Sequence, residues 1–268
     1  MTILFKEDFE NDLSQFDSLT QINGTVEISP EAALFGTKGL KCVVNPVASS
    51  RACVVKLINA TTLHVRGYFK IPAGLPEGGL SLISVMNSTK AGSPGVIRFR
   101  NVNGVNKLEA VYYRWDEPTV KWVQVNYPTT PDIVFDSNKT YLLEMRIAIG
   151  TAGQLKIWVD ENPVIDITLD NSLHISMSEV RTGLVFASPT TSITVYHDEF
   201  AIGDSYIGPV GTPQPPPQPW NPMLIAGVVV ASILGIGALI YVTRRHKYCS
   251  KKKNHVKATT KTLRNLKE

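Results

Sequence analysis

The chain is 268 residues long, with 27 Lys+Arg against 23 Asp+Glu, 43% hydrophobic residues and a formal net charge of +4. That length holds one large β domain or two small ones, with room for a core that needs no covalent staples. The positive total does not indicate a nucleic-acid partner, because residues 1–221 carry 17 basic and 22 acidic side chains (net −5) and residues 222–268 carry 10 and 1 (net +9).

From the N-terminus, MTILFKEDFEND has no apolar run of signal-peptide length, Ile3-Leu4-Phe5 being its only apolar stretch. Residues 3–203 then read as strands, with β-branched and aromatic residues mostly at period two and turn clusters about every eight to twelve residues. The predicted strands are 4–9, 25–29, 38–44, 51–57, 63–71, 79–86, 95–101, 107–115, 120–126, 140–149, 154–160, 163–168, 179–187 and 192–202. Pro72-Ala-Gly, Gly92-Ser-Pro-Gly, Asp116-Glu-Pro and Gly150-Thr-Ala-Gly separate them. So many short strands without helices predict an all-β, two-sheet antiparallel sandwich.

Cys42 and Cys53 lie in KGLKCVV and RACVVKL on either side of NPVASS. If Val44 faces Arg51 across a hairpin, Cys42 faces Cys53, close enough for a disulfide; the other reading is two small buried hydrophobes. Four N-x-[S/T] sequons, at Asn23, Asn59, Asn87 and Asn138, are glycosylation candidates if this region is external.

In YLLEMRIAIG, residues Leu143, Met145, Ile147 and Ile149 face one way, and in QLKIWVD residues Leu155, Ile157 and Val159 do. Strand, Gly-containing turn, K-I-W-V-D strand, tight turn and a further apolar strand resemble the concanavalin A-like lectin/glucanase superfamily, laminin G-like domains included. Phe5-Lys-Glu-Asp-Phe-Glu10 and Val195-Tyr-His-Asp-Glu-Phe-Ala-Ile202 fit its opening and closing strands. Asp160-Glu161-Asn162 departs from the v-y-v-D-G turn common there. The resemblance covers residues 3–208 and implies a jelly roll whose first and last strands pair. The expected domain is 1–208.

Residues 209–222, PVGTPQPPPQPWNP, contain seven prolines and predict a semi-rigid polyproline stalk. Residues 223–242, MLIAGVVVASILGIGALIYV, are twenty residues without charge, which as a helix span about 30 Å, the thickness of a hydrocarbon core. The basic residues 243–268 predict a cytoplasmic tail beside anionic lipid, with the β domain external. Cys249 in that tail is a lipidation candidate. Gly227, Ala231 and Gly235 form a small-residue stripe through which spans could self-associate.

Glycosidases of this superfamily use clustered carboxylates of the E-x-D-x-x-E kind, and no such motif occurs; the expectation is no enzyme and no cofactor. If the first and last strands pair, Glu7, Asp8, Asp198 and Glu199 could meet around a structural Ca²⁺, the alternative being ordinary edge charges. Arg98, Arg100, Tyr113, Trp115 and Trp122 are the candidate ligand patch, with Trp158 as its rival. A hairpin turning at Asp116-Glu-Pro118 would oppose Tyr112 to Trp122. The function expected is a membrane-anchored surface protein recognising a glycan or protein partner. The alternatives are a viral envelope or virion-surface protein and an anchored glycan hydrolase or lyase.

Overall fold

The computed structural model describes residues 2–210 apart from 74, 76–77, 90–91, 103–104, 129–132, 134 and 138. Among these residues fifteen strands form. The first five are β1 (Ile3–Glu7), β2 (Ser18–Ile22), β3 (Gly24–Ser29), β4 (Gly39–Val44) and β5 (Ser50–Ala60). Next come β6 (Thr62–Lys70), β7 (Gly78–Asn87), β8 (Gly95–Val102), β9 (Val105–Asp116) and β10 (Lys121–Pro128). The last are β11 (Tyr141–Ala148), β12 (Gly153–Val159), β13 (Asn162–Leu169), β14 (Met177–Ala187) and β15 (Ile193–Gly203). The chain divides into Met1–Pro216 and Pro217–Glu268. The expected span, tail, Cys249 and the Gly227, Ala231, Gly235 stripe lie outside the described residues, as does most of the stalk. Among the described residues no helix is long and apolar enough to cross a membrane.

The strands form two antiparallel sheets. One has eight strands in the order β13-β12-β11-β6-β15-β4-β3, with β1 added on β15; the other runs β10-β9-β8-β7-β14-β5-β2. This is the concanavalin-like jelly-roll sandwich that the sequence predicts, and its first and last strands pair, Glu7 lying opposite Phe200. Period-two alternation fills the space between the sheets. Leu143, Met145 and Ile147 of β11 and Leu155 and Ile157 of β12 meet Ile97 and Phe99 of β8 and Leu108 and Ala110 of β9, all at most 1% exposed. Truncating one of the buried phenylalanines to Ala would cost roughly 3–5 kcal/mol.

Three sequence expectations change here. The Cys42–Cys53 hairpin does not form: β4 pairs with β3 and β15, β5 pairs with β2 and β14, and both thiols are free and buried. NPVASS crosses between the sheets, so equal index sums put no residues opposite each other. β2, the seven-stranded sheet's edge strand, escapes the sequence reading because most of SLTQI is exposed and shows no apolar face. The β9–β10 hairpin closes at Asp116 and Lys121, pairing Trp122 with Trp115 and Tyr112 with Val125. That is an odd shift from the expected register, and an odd shift moves Trp122 to the opposite face from Tyr112.

At Gly183 in β14 the backbone takes φ +111°, and a Cβ would stand 2.7 Å from Cys42 Sγ and 2.9 Å from the Ala52 carbonyl oxygen. Only glycine fits where the two sheets approach so closely.

After β15 the chain folds back across the outer face of the eight-stranded sheet. Ile207 and Gly208 donate their N–H groups to Glu144 Oε1 and Oε2, each at 2.9 Å, and Val210 N–H donates to Tyr68 Oη at 3.0 Å. Arg66, 1% exposed, donates to the carbonyls of Gly208 (3.0 Å) and Glu199 (2.8 Å). His64 Nδ1 lies 2.8 Å from Glu144, and Tyr206 leans on Trp158 with ring centroids 5.3 Å apart.

Candidate functional site

Along the seven-stranded sheet, residues that do not face the core face outward into an open cleft. Its floor crosses from β10 to β5, its volume is about 290 Å³, and Arg51, Ser84, Arg98, Tyr113, Gln124 and Arg181 supply the polar lining. A shallower hollow of about 350 Å³ shares Arg98, Gln124 and Phe186 and adds Arg100 and Asn126. A bulge in β7 between Ser81 and Ile83 shapes the floor. Leu82 and Ile83 both go into the core, and Ser81 and Ser84 both line the cleft.

The central cluster is Arg98, Gln124 and Tyr113. Buried Glu109 stands opposite Arg98 on β9 and accepts from its Nε at 2.5 Å. This bond fixes the guanidinium and leaves both Nη groups toward the cleft. The Gln124 amide sits between them and Tyr113. With its oxygen toward the guanidinium it accepts from Nη1 at 3.0 Å and Nη2 at 3.2 Å, while its nitrogen donates to Tyr113 Oη at 3.1 Å. The half-buried tyrosine thereby presents a hydroxyl beside fixed donors.

An aromatic cluster stands beside one end of the cleft. Trp115 and Trp122 meet edge to face at 5.6 Å, and Trp122 stacks on His174 at 4.4 Å. A Cβ on Gly92 would stand 2.7 Å from the Trp122 ring, so the loop before β8 closes directly on it. His174 Nε2 donates to the Tyr113 carbonyl at 2.7 Å, and its Nδ1 accepts from Asn87 Nδ2 at 3.3 Å. Burial pulls the imidazole down to about 4, so His174 is neutral at pH 7 and holds the Tyr113 backbone.

At the other end stand Arg51 of β5 and Arg181 of β14. Glu179 holds Arg181 through both Nε (3.1 Å) and Nη2 (2.7 Å). Among the described residues Arg51 has no such partner, and its Nε is buried without a hydrogen bond. The floor beside them is Cys53, whose thiol burial pushes up to about 11 against the opposing pull of Arg181 and Arg51.

The cleft and its hollow bring together Arg98, Arg100 and Tyr113 of the sequence candidates. Trp115 and Trp122 do not line the cleft itself; Trp122 packs behind Gly92 at its edge. Trp158 lies on the other sheet, under Tyr206. Arg51 and Arg181 were not legible, because only the strand order β8-β7-β14-β5 brings them into the cleft with Arg98, and Gln124 was missed because the β9–β10 register that sets it opposite Tyr113 differs from the expected one.

The four carboxylates expected around Ca²⁺ are engaged elsewhere. Glu7 accepts from Phe9 N–H (3.0 Å) and Asp8 from Glu10 N–H (3.2 Å), Asp198 takes the N–H groups of Leu34, Phe35 and Glu199, and Glu199 lies 3.1 Å from Lys6. Among the described residues no three His, Cys, Asp or Glu side chains are placed to hold a metal ion. Asn87 is fully buried and bonded to Thr89 and His174, which removes it as a glycan acceptor; Asn23 and Asn59 are exposed, and Asn138 lies outside the described residues.

No protein-family profile and no curated protein matches the chain. Its fold is similar to solved structures. An endo-β-1,4-glucuronan lyase from the fungus Trichoderma reesei aligns at 16% identity and TM-score 0.59, over 76% of this chain and 96% of that one. The cellulose-induced protein Cip1 aligns at 13% identity and TM-score 0.57, over 77% of this chain and 100% of that one. An alginate lyase, vAL-1, from Chlorella virus aligns at 9% identity and TM-score 0.56, over 76% of this chain and 100% of that one. These likenesses overturn the step from a missing E-x-D-x-x-E motif to a chain without enzymatic activity. Two of the three sandwiches are lyases, and the motif is a requirement of glycoside hydrolysis, not of elimination.

Proposed function

We propose that the cleft is the active site of a lyase that cleaves an acidic polysaccharide by β-elimination. The observation that carries this reading is the Arg98–Gln124–Tyr113 cluster in an open cleft. In a uronate-containing chain, the carbon next to the carboxylate bears a weakly acidic hydrogen, and the neighbouring carbon carries the glycosidic oxygen. Arg98 Nη groups and the Gln124 amide hold the carboxylate and stabilise the negative charge that builds on it as the hydrogen leaves. Among the described residues lining the cleft, only Tyr113 has a side chain that both takes and returns a proton with ease, since arginine stays charged. The step requires Tyr113 Oη in its deprotonated form, which takes the hydrogen from carbon as a proton. The C–H electron pair becomes the new C=C bond, the C–O bond breaks, and Tyr113 returns the proton to the departing oxygen. No water, metal or oxidant is consumed.

The product carries a double bond conjugated to its carboxylate, which absorbs ultraviolet light. Incubating the purified chain with glucuronan, alginate and a neutral glucan, and following absorbance, tests the proposal. Absorbance should rise with an acidic polymer and not with the glucan; a flat trace with every acidic polymer rules out the lyase. The fold likeness to two lyases supports the reading as background.

The same proposal includes a tether, with residues 223–242 spanning a membrane and the basic residues after them at its cytoplasmic surface. Its support is the uncharged run and the +9 balance of residues 222–268. Protease treatment of intact cells or particles tests it, because full protection of the β sandwich would refute an external domain.

A further inference from the structure

Two of the three arginines lining the cleft are electrically satisfied within the protein, Arg98 by Glu109 and Arg181 by Glu179. Arg51 is not. It has no carboxylate partner among the described residues, and its Nε is closed off from solvent without an acceptor. An arginine that lines an open cleft with no carboxylate beside it keeps its positive charge uncompensated by the described residues, and an anion entering the cleft can pair with it. Arg181 stands on the adjoining strand β14, four residues along from the level of Arg51. Arg181 lies opposite Val55, and Arg51 shares that strand's outward face with Val55 and Cys53. The Glu179 bonds hold the Arg181 Nε and one Nη, so its guanidinium is fixed in place at the cleft wall.

Resting on the lyase reading above, we propose that Arg51 forms a second anion subsite that takes the acid group of a sugar further along the same polysaccharide. Arg51 on β5 lies three strand spacings from Arg98 on β8, about 14 Å across the sheet at about 4.8 Å per strand. A chain laid across the strands therefore meets Arg98 with one sugar and Arg51 with another a few residues away. The site selects runs of acidic sugars over isolated ones, and it does so by charge at a distance from the bond that breaks.

Two measurements on the full chain test this. The first is the rate on acidic oligosaccharides of increasing length, for the wild type and Arg51→Gln. Long oligomers should lose roughly 10–100-fold in kcat/KM, the loss of one charge-assisted contact. The shortest substrate, which does not reach β5, should be cleaved at the wild-type rate. Equal loss at every length, or none at any length, overturns the subsite. The second is equilibrium binding of an acidic polymer and a neutral glucan, which needs no turnover. Arg51→Gln should weaken only the acidic polymer, and Arg51→Lys should recover part of the affinity, keeping the charge without the guanidinium fork. Wild-type binding without cleavage would remove the lyase and leave the subsite standing if Arg51→Gln weakens it. Wild-type indifference to acidic polymer removes both.

Discussion

Two arginines, one on each outer face, separate what the fold closes from what it leaves open. Arg66 on the eight-stranded sheet and Arg51 on the seven-stranded sheet each bury an Nε without a hydrogen bond. Around Arg66 the protein supplies everything else: the carbonyls of Gly208 and Glu199, and a covering segment tied down by Glu144 and Tyr68. Around Arg51 the described residues supply no carboxylate, and the cleft stays open. The same side chain is thus a structural anchor on one face and, in the proposed reading, a recognition group on the other. The difference lies in whether the chain returns to cover it.

The largest expected effect is on the open face. Tyr113→Phe should lower elimination roughly 100–10,000-fold, as loss of a proton-transfer group does, with melting temperature unchanged. Tyr68→Phe on the covered face should leave the rate alone. A rate equally reduced by both would erase the distinction. Next comes Arg66→Ala, which leaves Glu199 without its buried cation and the Gly208 and Glu199 carbonyls without their donor, and should cost about 3–5 kcal/mol in denaturant unfolding, with wild-type activity per folded molecule.

A smaller effect concerns pH. Burial pushes Asp198 up to about 7, although three backbone amides oppose the shift. A carboxyl raised above its unfolded value contributes stability that is complete below about pH 4 and is lost as pH rises to about 7. His174 and His197 are pulled by burial down to about 4 and about 3, so their contribution is complete above about pH 6.5 and is lost as pH falls. Between these limits the two trends oppose. Asp198→Asn removes one, so stability should rise more steeply from pH 4.5 to 6, by up to about 1.4 kcal/mol per unit, in denaturant melts across that range. An unchanged slope would show that Asp198 keeps its charge when buried. Smallest is exposed Arg100→Gln, expected to weaken acidic polymer only a few-fold, and less at high salt.

The sandwich was legible because most strands carry a clear apolar face: Leu143, Met145 and Ile147 announce which side of β11 is core before any partner is known. β2 was not, since an exposed edge strand has no such face. For the site, parity alone placed Arg98 and Arg100 together on β8. It could not place Trp122, whose face depends on a hairpin register set by the turn after Asp116. Arg51 and Arg181 depended on strand order, which a single sequence leaves free when sheets exchange strands as 45–49 does. The disulfide expectation failed for that same reason.

The covering segment also decides where the molecule is held. The chain leaves the described sandwich at Val210, on the side away from the cleft, so a pull on whatever follows is borne by the back of the domain. Glu144, gripping two consecutive amides, and Arg66, gripping the Gly208 carbonyl, take that load first. Behind them stands β15, locked between β6 and β4 in the sheet interior. Any such pull would enter through one layer and reach the mouth on the other only across the core, the arrangement of a tool gripped by its handle.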